Sequence, residues 1–449
     1  MPADVLDGVE LERIDAPGIM ACVVRELFEE TGILLARGAG AIDPSLVERA
    51  RRASLEREAD FGKIWEELRR DAGCDLRLDA GELVYAGRWL TPPLGPVRFD
   101  NRFFLLEWPR ERKQQPRVID GELVAGEWVR PAEAIHRWET GQVVTAPPIL
   151  HILKVMAEDG PSEGLARLRE PFEANLGPFR KIEFRPGVLM FPLRTPTLPP
   201  AAYTNAYVLG REEAVLVDPG SPFPEAAEGM IQALRELEET DGRKVTAIWL
   251  THHHPDHVGG VPKLREALGV PVAAHAETAK RLSAVGIEVN LDLHDKQRVV
   301  LEGSPPFPIL VSHTPGHARG HLTFYDEDGG SLLGGDLTAG FGTIVIDPPE
   351  GDMDDYLASL ERMRDLGAKA LFPAHGPPTI AVREKLTEYL EHRLWREERI
   401  LDAWHEGLRD ARELLPVVYD DVPERAYPLA ARQLESHLIR LERLGSIER

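Results

Sequence analysis

Cysteine is almost absent: Cys22 and Cys74 are the only two in 449 residues, far apart and outside any C-x-x-C pair. That excludes a disulfide framework and a thiolate zinc site, and it fits a reducing compartment. Long apolar runs are missing as well. The first residues, Met1-Pro2-Ala3-Asp4-Val5-Leu6-Asp7, are acidic, and no later segment approaches the ~18 uninterrupted apolar residues of a membrane span. The expectation is a cytoplasmic protein with no membrane partner. Positive charge is scarce too, with 53 Lys and Arg against 75 Asp and Glu, a net charge of -22. Such a chain repels phosphate backbones at long range, so nucleic-acid binding would need a local basic patch or bound metals. What is present is ordinary for a globular protein: 43% hydrophobic and 29% charged residues, over a length that suggests roughly two or three domains. The sequence says nothing of oligomeric state.

Against this background one stretch stands out. Thr251-His252-His253-His254-Pro255-Asp256-His257 follows the apolar run Val245 to Leu250 and has the spacing H-x-H-x-D-H. Neutral His and ionised Asp are standard ligands of Zn²⁺ and similar transition metals, so the spacing places a metal site here. Four more loops carry a His or Asp just past a short apolar run: Asp218-Pro219-Gly220 after Ala214 to Val217, Pro315-Gly316-His317 after Ile309 to Val311, Gly334-Gly335-Asp336 after Leu332-Leu333, and Pro373-Ala374-His375-Gly376 after Ala370 to Phe372. With a helix over Ala226 to Glu238 between two of the strands, the pattern predicts an α/β domain whose site lies on loops at one edge of its sheets.

In order and spacing these five loops resemble the metallo-β-lactamase superfamily. The resemblance implies an αββα sandwich with a dinuclear site, holding two Zn²⁺, Mn²⁺ or Fe ions. On the matched positions His252, His254 and His317 would hold one metal, Asp256, His257 and His375 the other, and Asp336 would bridge them. Asp218 would brace the ligand loops from behind, and His253 is not at a ligand position. Two cations about 3.5 to 4 Å apart bring a bridging water towards hydroxide at neutral pH and polarise the group under attack. The expected activity is therefore hydrolysis of an ester, thioester or phosphodiester, with Asp256 also accepting a proton. The lack of a Cys ligand argues against β-lactam hydrolysis.

Within the superfamily the chain is similar to the lactamase-like protein 2 group, whose mitochondrial members are single-strand endoribonucleases. The carrying residues are Thr204-Asn205-Ala206-Tyr207, Thr314-Pro315-Gly316-His317 with His321, Pro373-Ala374-His375-Gly376-Pro377, and His392-Arg393 with Arg396-Glu397. Tyr203, Arg319 and His321 are candidates for the cleft. Glu384 to His405 and Tyr427 to Glu448 read as helices, the second with Ala430, Leu434, Leu438, Leu441 and Leu444 on its apolar face, forming a small winged-helix-like cap. From Thr379 on there are twelve Lys and Arg and fifteen Asp and Glu. A nucleic-acid platform should be basic, so a packing cap is the expectation.

Residues 1–158 point elsewhere. Arg25-Glu26-Leu27-Phe28-Glu29-Glu30-Thr31-Gly32-Ile33 ends a helix begun near Ala16 and sets Glu26, Glu29 and Glu30 on one face. Oxygen-only ligands of this kind suit Mg²⁺ or Mn²⁺. The segment resembles the second half of the Nudix box. After a polar, helix-like insertion from about Pro44 to Arg70, Arg88-Trp89-Leu90-Thr91-Pro92 and Arg98-Phe99-Asp100-Asn101-Arg102-Phe103-Phe104 look like a strand pair of the peroxisomal coenzyme A diphosphatases. Glu122, Glu127 and Trp128 resemble that family's final strand, followed by a closing helix at about Pro131 to Glu158. Yet Leu11 and Pro17 stand where the full box has Gly and Glu, and few residues precede Arg25. The expectation is a structural, regulatory or substrate-binding remnant, or a domain whose reading frame begins further upstream, rather than an independent pyrophosphatase.

The organisation read from the sequence is thus a partial Nudix-like domain over 1–158, a linker over 159–180, a metallo-β-lactamase domain over 181–380 and a helical, winged-helix-like cap over 381–449. Three substrate classes stay open: an acyl-CoA or other thioester or ester, single-stranded RNA, and CoA or a nucleoside diphosphate at the Nudix-like box.

Overall fold

The computed structural model describes residues 16–39, 42–56, 60–90, 100–108, 114–118, 123, 125–170, 182–199 and 201–449. Leu11, Thr91-Pro92, Arg98-Phe99, Glu122 and linker residues 171–180 lie outside them. The chain divides into two compact units, one of Met1–Trp89, Asp100–Glu133 and Lys154–Phe172, the other of Leu90–Phe99, Ala134–Leu153 and Glu173–Arg449.

The first unit begins with helix α1 (Ala16–Thr31), stopped at Gly32, whose φ of 74° a side chain would resist. Strand β1 (Ala36–Arg37) follows, then α2 (Pro44–Leu55) and α3 (Phe61–Asp71). Asp43 and Asp60 cap these two helices by accepting from the backbone N–H of Ser45 and Lys63. Strand β2 (Arg77–Leu78) pairs with β1, and β3 (Leu83–Leu90) with β4 (Asp100–Leu106), giving two separate two-stranded sheets. Phe28, Leu34, Leu68 and Leu76 form the core beside them. Glu127 and Trp128 are not in a strand, and Trp128 is 70% exposed.

Where one closing helix is expected there are two, α4 (Pro131–Glu139) and α5 (Pro147–Glu158), because Gly141 takes a φ of 70° and a Pro pair opens the second. Helix α6 (Gly160–Arg169) occupies the start of the expected linker.

The second unit is built on strands buried on both faces. A seven-stranded sheet contains β5 (Ile182–Arg185), β6 (Val188–Arg194), β7 (Tyr203–Gly210), β8 (Glu213–Val217), β9 (Lys244–Trp249), β10 (Val272–Ala274) and β11 (Leu291–Asp292), adjacent in chain order. A five-stranded sheet contains β12 (Arg298–Leu301), β13 (Phe307–His313), β14 (Leu322–Asp326), β15 (Ser331–Gly335) and β16 (Ala370–Pro373), also in order. Alternate side chains of a strand point to opposite faces. On β6 to β9, Val188, Met190, Tyr207, Val215, Val217 and Trp249 face Phe324, Leu333 and Phe372 of the other sheet in one core.

Their neighbours Leu189, Phe191, Val208, Leu216 and Ile248 face outward onto helices α7 (Pro224–Asp241), α9 (Val261–Leu268) and α10 (Ala276–Ser283). A single turn, α8 (Pro255–Val258), precedes α9. On the other side Leu332 and Leu371 meet α11 (Met353–Arg364) and α12 (Val382–His405). The result is a four-layer αββα sandwich, and this double burial explains why the strands read as continuous apolar runs.

Helices α13 (Ala411–Val418) and α14 (Tyr427–Arg443) pack on the end of α12 through Ile400, Trp404, Leu414, Leu434, Leu438 and Leu441, closing a helical domain. Leu444, read as part of the apolar face, is 56% exposed, because the helix ends one residue before it. Among the described residues no helix is long and apolar enough to cross a membrane.

Candidate metal centre

Five loops bring their polar residues together at one edge of the sandwich. Asp218 follows β8, the His cluster follows β9, His317 lies beyond β13, Asp336 follows β15 and His375 follows β16. Two of the turns leave no room for a side chain. A Cβ on Gly220 would lie 1.6 Å from the Asp256 carbonyl oxygen, and one on Gly316, at φ 133°, would lie 2.3 Å from Cα of Tyr356. Glycine there lets the ligand loops touch their neighbours.

Among the described residues, two groups have ligand atoms close enough to hold a metal ion: His252, His254, His317 and Asp336, and Asp256, His257 and His375. Asp336 faces both. Its Oδ2 lies 3.4 Å from Nε2 of His317, and its Oδ1 lies 3.5 Å from Nε2 of His257 and 3.3 Å from Nε2 of His375. Oδ2 of Asp256 lies 3.5 Å from Nε2 of His375. His253, Glu26, Glu29 and Glu30 belong to neither group. In the first unit, Arg25 pairs with Glu26 and Glu29, Ser54 donates to Glu29, and buried Arg51 donates to the carbonyls of Glu29 and Glu30.

The hydrogen bonds behind the rings decide which nitrogen faces inward. Asp218, held at φ 48°, accepts from the Thr251 backbone N–H at 2.8 Å, from the Thr251 hydroxyl at 2.6 Å and from Nδ1 of His257 at 2.8 Å. Since the single hydroxyl proton of Thr251 goes to Asp218, Nδ1 of His252, 3.0 Å away, must donate to that oxygen. His317 donates from Nδ1 to the Val345 carbonyl at 2.7 Å, and His375 from Nδ1 to the Tyr203 carbonyl at 3.0 Å. In all four rings Nε2 is therefore the inward nitrogen. His254 instead turns Nδ1 inward, 2.9 Å from Nε2 of both His252 and His317. One N–H there could serve only one of those two, whereas a shared cation serves all three nitrogens.

Electrostatics agree. Burial, reinforced by neighbouring histidines, holds His252 well below the ordinary imidazole range and His254 down at about 2, so both stay neutral. Burial would push His257 down as well, but the carboxylates of Asp336, Asp256 and Asp218 hold it well above that range. The pocket thus draws in positive charge. Nε2 of His257 and Oδ1 of Asp336 are buried without a hydrogen-bond partner, and each such orphan costs about 1–3 kcal/mol unless something else binds it. Inward-facing imidazoles, carboxylates and two orphaned ligand atoms fit a divalent metal.

The branch-like residues act as braces. Asn205 donates to the carbonyls of Pro373 and Gly376 at 3.0 and 2.8 Å, and Tyr207 to that of Pro373 at 2.6 Å, which fixes the His375 loop. His321, a cleft candidate in the sequence, is fully buried. Its Nε2 accepts from the Asp336 backbone N–H at 3.0 Å, and its Nδ1 meets the Thr314 hydroxyl at 2.8 Å. Arg319 is exposed and donates to the Pro349 carbonyl at 2.9 Å. Thr251 escaped the sequence reading because its role depends on contact with Asp218; its place directly before the His cluster was the one available signal.

A sandwich of this kind, with His and Asp gathered at its rim, defines a metal-dependent hydrolase fold. The model of the metallo-beta-lactamase superfamily matches residues 199–375, and that of the beta-lactamase associated winged helix domain matches 411–449. The beta-lactamase-like protein 2 homolog of Drosophila melanogaster is 31% identical over 262 residues, covering 54% of this chain and 84% of its own. The atrochrysone carboxyl ACP thioesterase of Aspergillus chevalieri is 32% identical over 232 residues, covering 49% and 69%. A solved beta-lactamase domain protein from Burkholderia ambifaria shares the fold with a TM-score of 0.50 and 20% identity, over 59% of this chain and 88% of that one. The chain belongs to the metallo-β-lactamase superfamily.

Proposed function

We propose that the protein is a dinuclear metal-dependent hydrolase acting on an acyl thioester. The observation that carries the dinuclear reading is Asp336, whose two oxygens face different ligand groups. Bound divalent ions would supply water activation near neutral pH and polarisation of the carbonyl under attack. His252, His254 and His317 would hold one ion, Asp256, His257 and His375 the other, with Asp336 between them. Asp218 and the carbonyls of Val345 and Tyr203 hold the rings in the ligand tautomer. Asp256, on the turn after the histidines and 16% exposed at its side chain, would take up a proton from the attacking water.

The thioester class is favoured by the similarity to a thioesterase over 69% of that protein's length. It is also favoured by the charge of the helical domain. Arg440 and Arg443 are paired with Asp354, Arg443 also with Asp352, and Arg432 with Asp347, so these arginines are neutralised rather than offered to a phosphate backbone. The metal, the domain boundaries 181–380 and 381–449, and a scaffold role for residues 1–158 belong to the same proposal.

The test loads the protein with Zn²⁺ or Mn²⁺ and assays acyl-CoA thioesters, single-stranded RNA and free CoA side by side, in wild type and His252→Ala. Thioester hydrolysis lost in the variant supports the proposal. RNA cleavage without thioester hydrolysis would replace it with the endoribonuclease reading. CoA cleavage that survives His252→Ala and is lost in Glu29→Gln would move the activity to the Nudix-like box.

A further inference from the structure

Between Asp336 and α11 the chain runs through an irregular segment, Leu337 to Asp352, that carries no metal-ligating candidate yet is held from several directions. Tyr356 of α11 donates to the Leu337 carbonyl at 2.7 Å. The hydroxyl of Tyr389, on α12, accepts from the Ala339 N–H at 3.0 Å and lies 2.9 Å from the Gly342 carbonyl. Ile344 and Ile346 are buried in the core beneath α11 and α12.

At the centre of this segment two consecutive carbonyls serve different elements. That of Val345 accepts from Nδ1 of His317 at 2.7 Å. That of Ile344 accepts from Arg393 of α12 at 2.5 Å and from Nε2 of Gln433 of α14 at 2.6 Å, and Arg393 also donates to the Thr343 hydroxyl at 2.8 Å. Arg393 is 2% exposed and Gln433 4%. A carbonyl oxygen has two lone pairs, and here both are taken by rigid donors from the helical region. The Ile344–Val345 peptide, next to the one that receives His317, is therefore held by side chains of α12 and α14.

We propose that Gln433 and Arg393 are positioning residues for His317, so that the C-terminal helical domain completes the His252, His254 and His317 metal group through Ile344 and Val345. This rests on His317 being a metal ligand. A partner that holds a ligating His in its tautomer and orientation typically changes metal affinity or activity by about 10–100-fold, and Gln433 acts one peptide further back, so the lower end of that range is expected.

The test is Co²⁺ titration followed by the d–d absorption bands, on the full chain. His254→Ala and His375→Ala identify which bands belong to which group. Gln433→Met keeps the length and shape of the side chain and removes the donor. It should weaken the Co²⁺ equivalent assigned to the His254 group by about tenfold and leave the other within about twofold. Arg393→Lys, which loses the forked reach to Thr343 and Ile344, should act on the same equivalent and stands in if Gln433→Met does not fold. A lowered unfolding temperature with both affinities at their wild-type values would show that these residues only support the fold, and would overturn the inference. Should His317→Ala retain both Co²⁺ equivalents at wild-type affinity, the ligand assignment itself falls, and the positioning role with it.

Discussion

Nδ1 of His257 lies 2.8 Å from Oδ2 of Asp218, across a sequence separation of 39 residues. The same carboxylate holds the Thr251 N–H and hydroxyl, so one buried side chain orders both ends of the His cluster. Asp218→Ala would leave three donors without an acceptor, at about 1–3 kcal/mol for each one left buried. The expected result is a marked fall in the unfolding temperature, together with about 10–100-fold weaker metal binding in a chelator competition. Metal affinity unchanged from wild type would remove Asp218 from the site.

Asp336 faces both ligand groups, with Oδ2 towards His317 and Oδ1 towards His257 and His375. Asp336→Ala is therefore expected to abolish simultaneous occupancy, so that the metal content after gel filtration drops by at least one equivalent per chain and hydrolysis is lost. Retention of the wild-type stoichiometry would show that the two groups bind independently.

The His375 loop depends on β7. Tyr207→Phe removes one hydrogen bond to the Pro373 carbonyl and is expected to cost about 1 kcal/mol. Asn205→Leu removes two hydrogen bonds and takes from the Gly376 carbonyl the donor it has in Asn205, and about 2 kcal/mol or more should be lost. Denaturant unfolding of the metal-free protein measures both, and equal effects would contradict the assignment of two contacts to Asn205 and one to Tyr207.

Acid should weaken the metal-free fold through His321. Burial, with the nearby His317, holds its pKa down at about 3, against an ordinary value of 6.5. The folded state then binds fewer protons than the unfolded chain between those values. Its contribution is complete above about pH 6.5 and declines as the pH falls towards 3. His321→Gln, which does not titrate, should flatten the loss of stability between about pH 7 and pH 5 in urea unfolding. A slope identical to wild type would mean that His321 is already protonated in the fold.

Much of this site was legible in the chain because its chemistry is local. H-x-H-x-D-H sits on six consecutive residues, and the other loops each pair a His or Asp with a short apolar strand. Those strands are buried on both faces, so their continuous apolar runs announce a sandwich before any pairing is known. The two closing helices and the exposed Leu444 were less legible, since helix ends depend on single turns such as that at Gly141.

The sequence by itself determined the ligand types, their order and the layered α/β class, because residue chemistry and side-chain periodicity do not depend on distant partners. Tertiary structure alone decided which nitrogen of each ring faces inward, that Thr251, Asn205 and His321 are braces, and that Gln433 reaches a carbonyl 89 residues away. Hydrogen bonds across such separations join residues whose spacing in the chain carries no period, so only the folded geometry shows them.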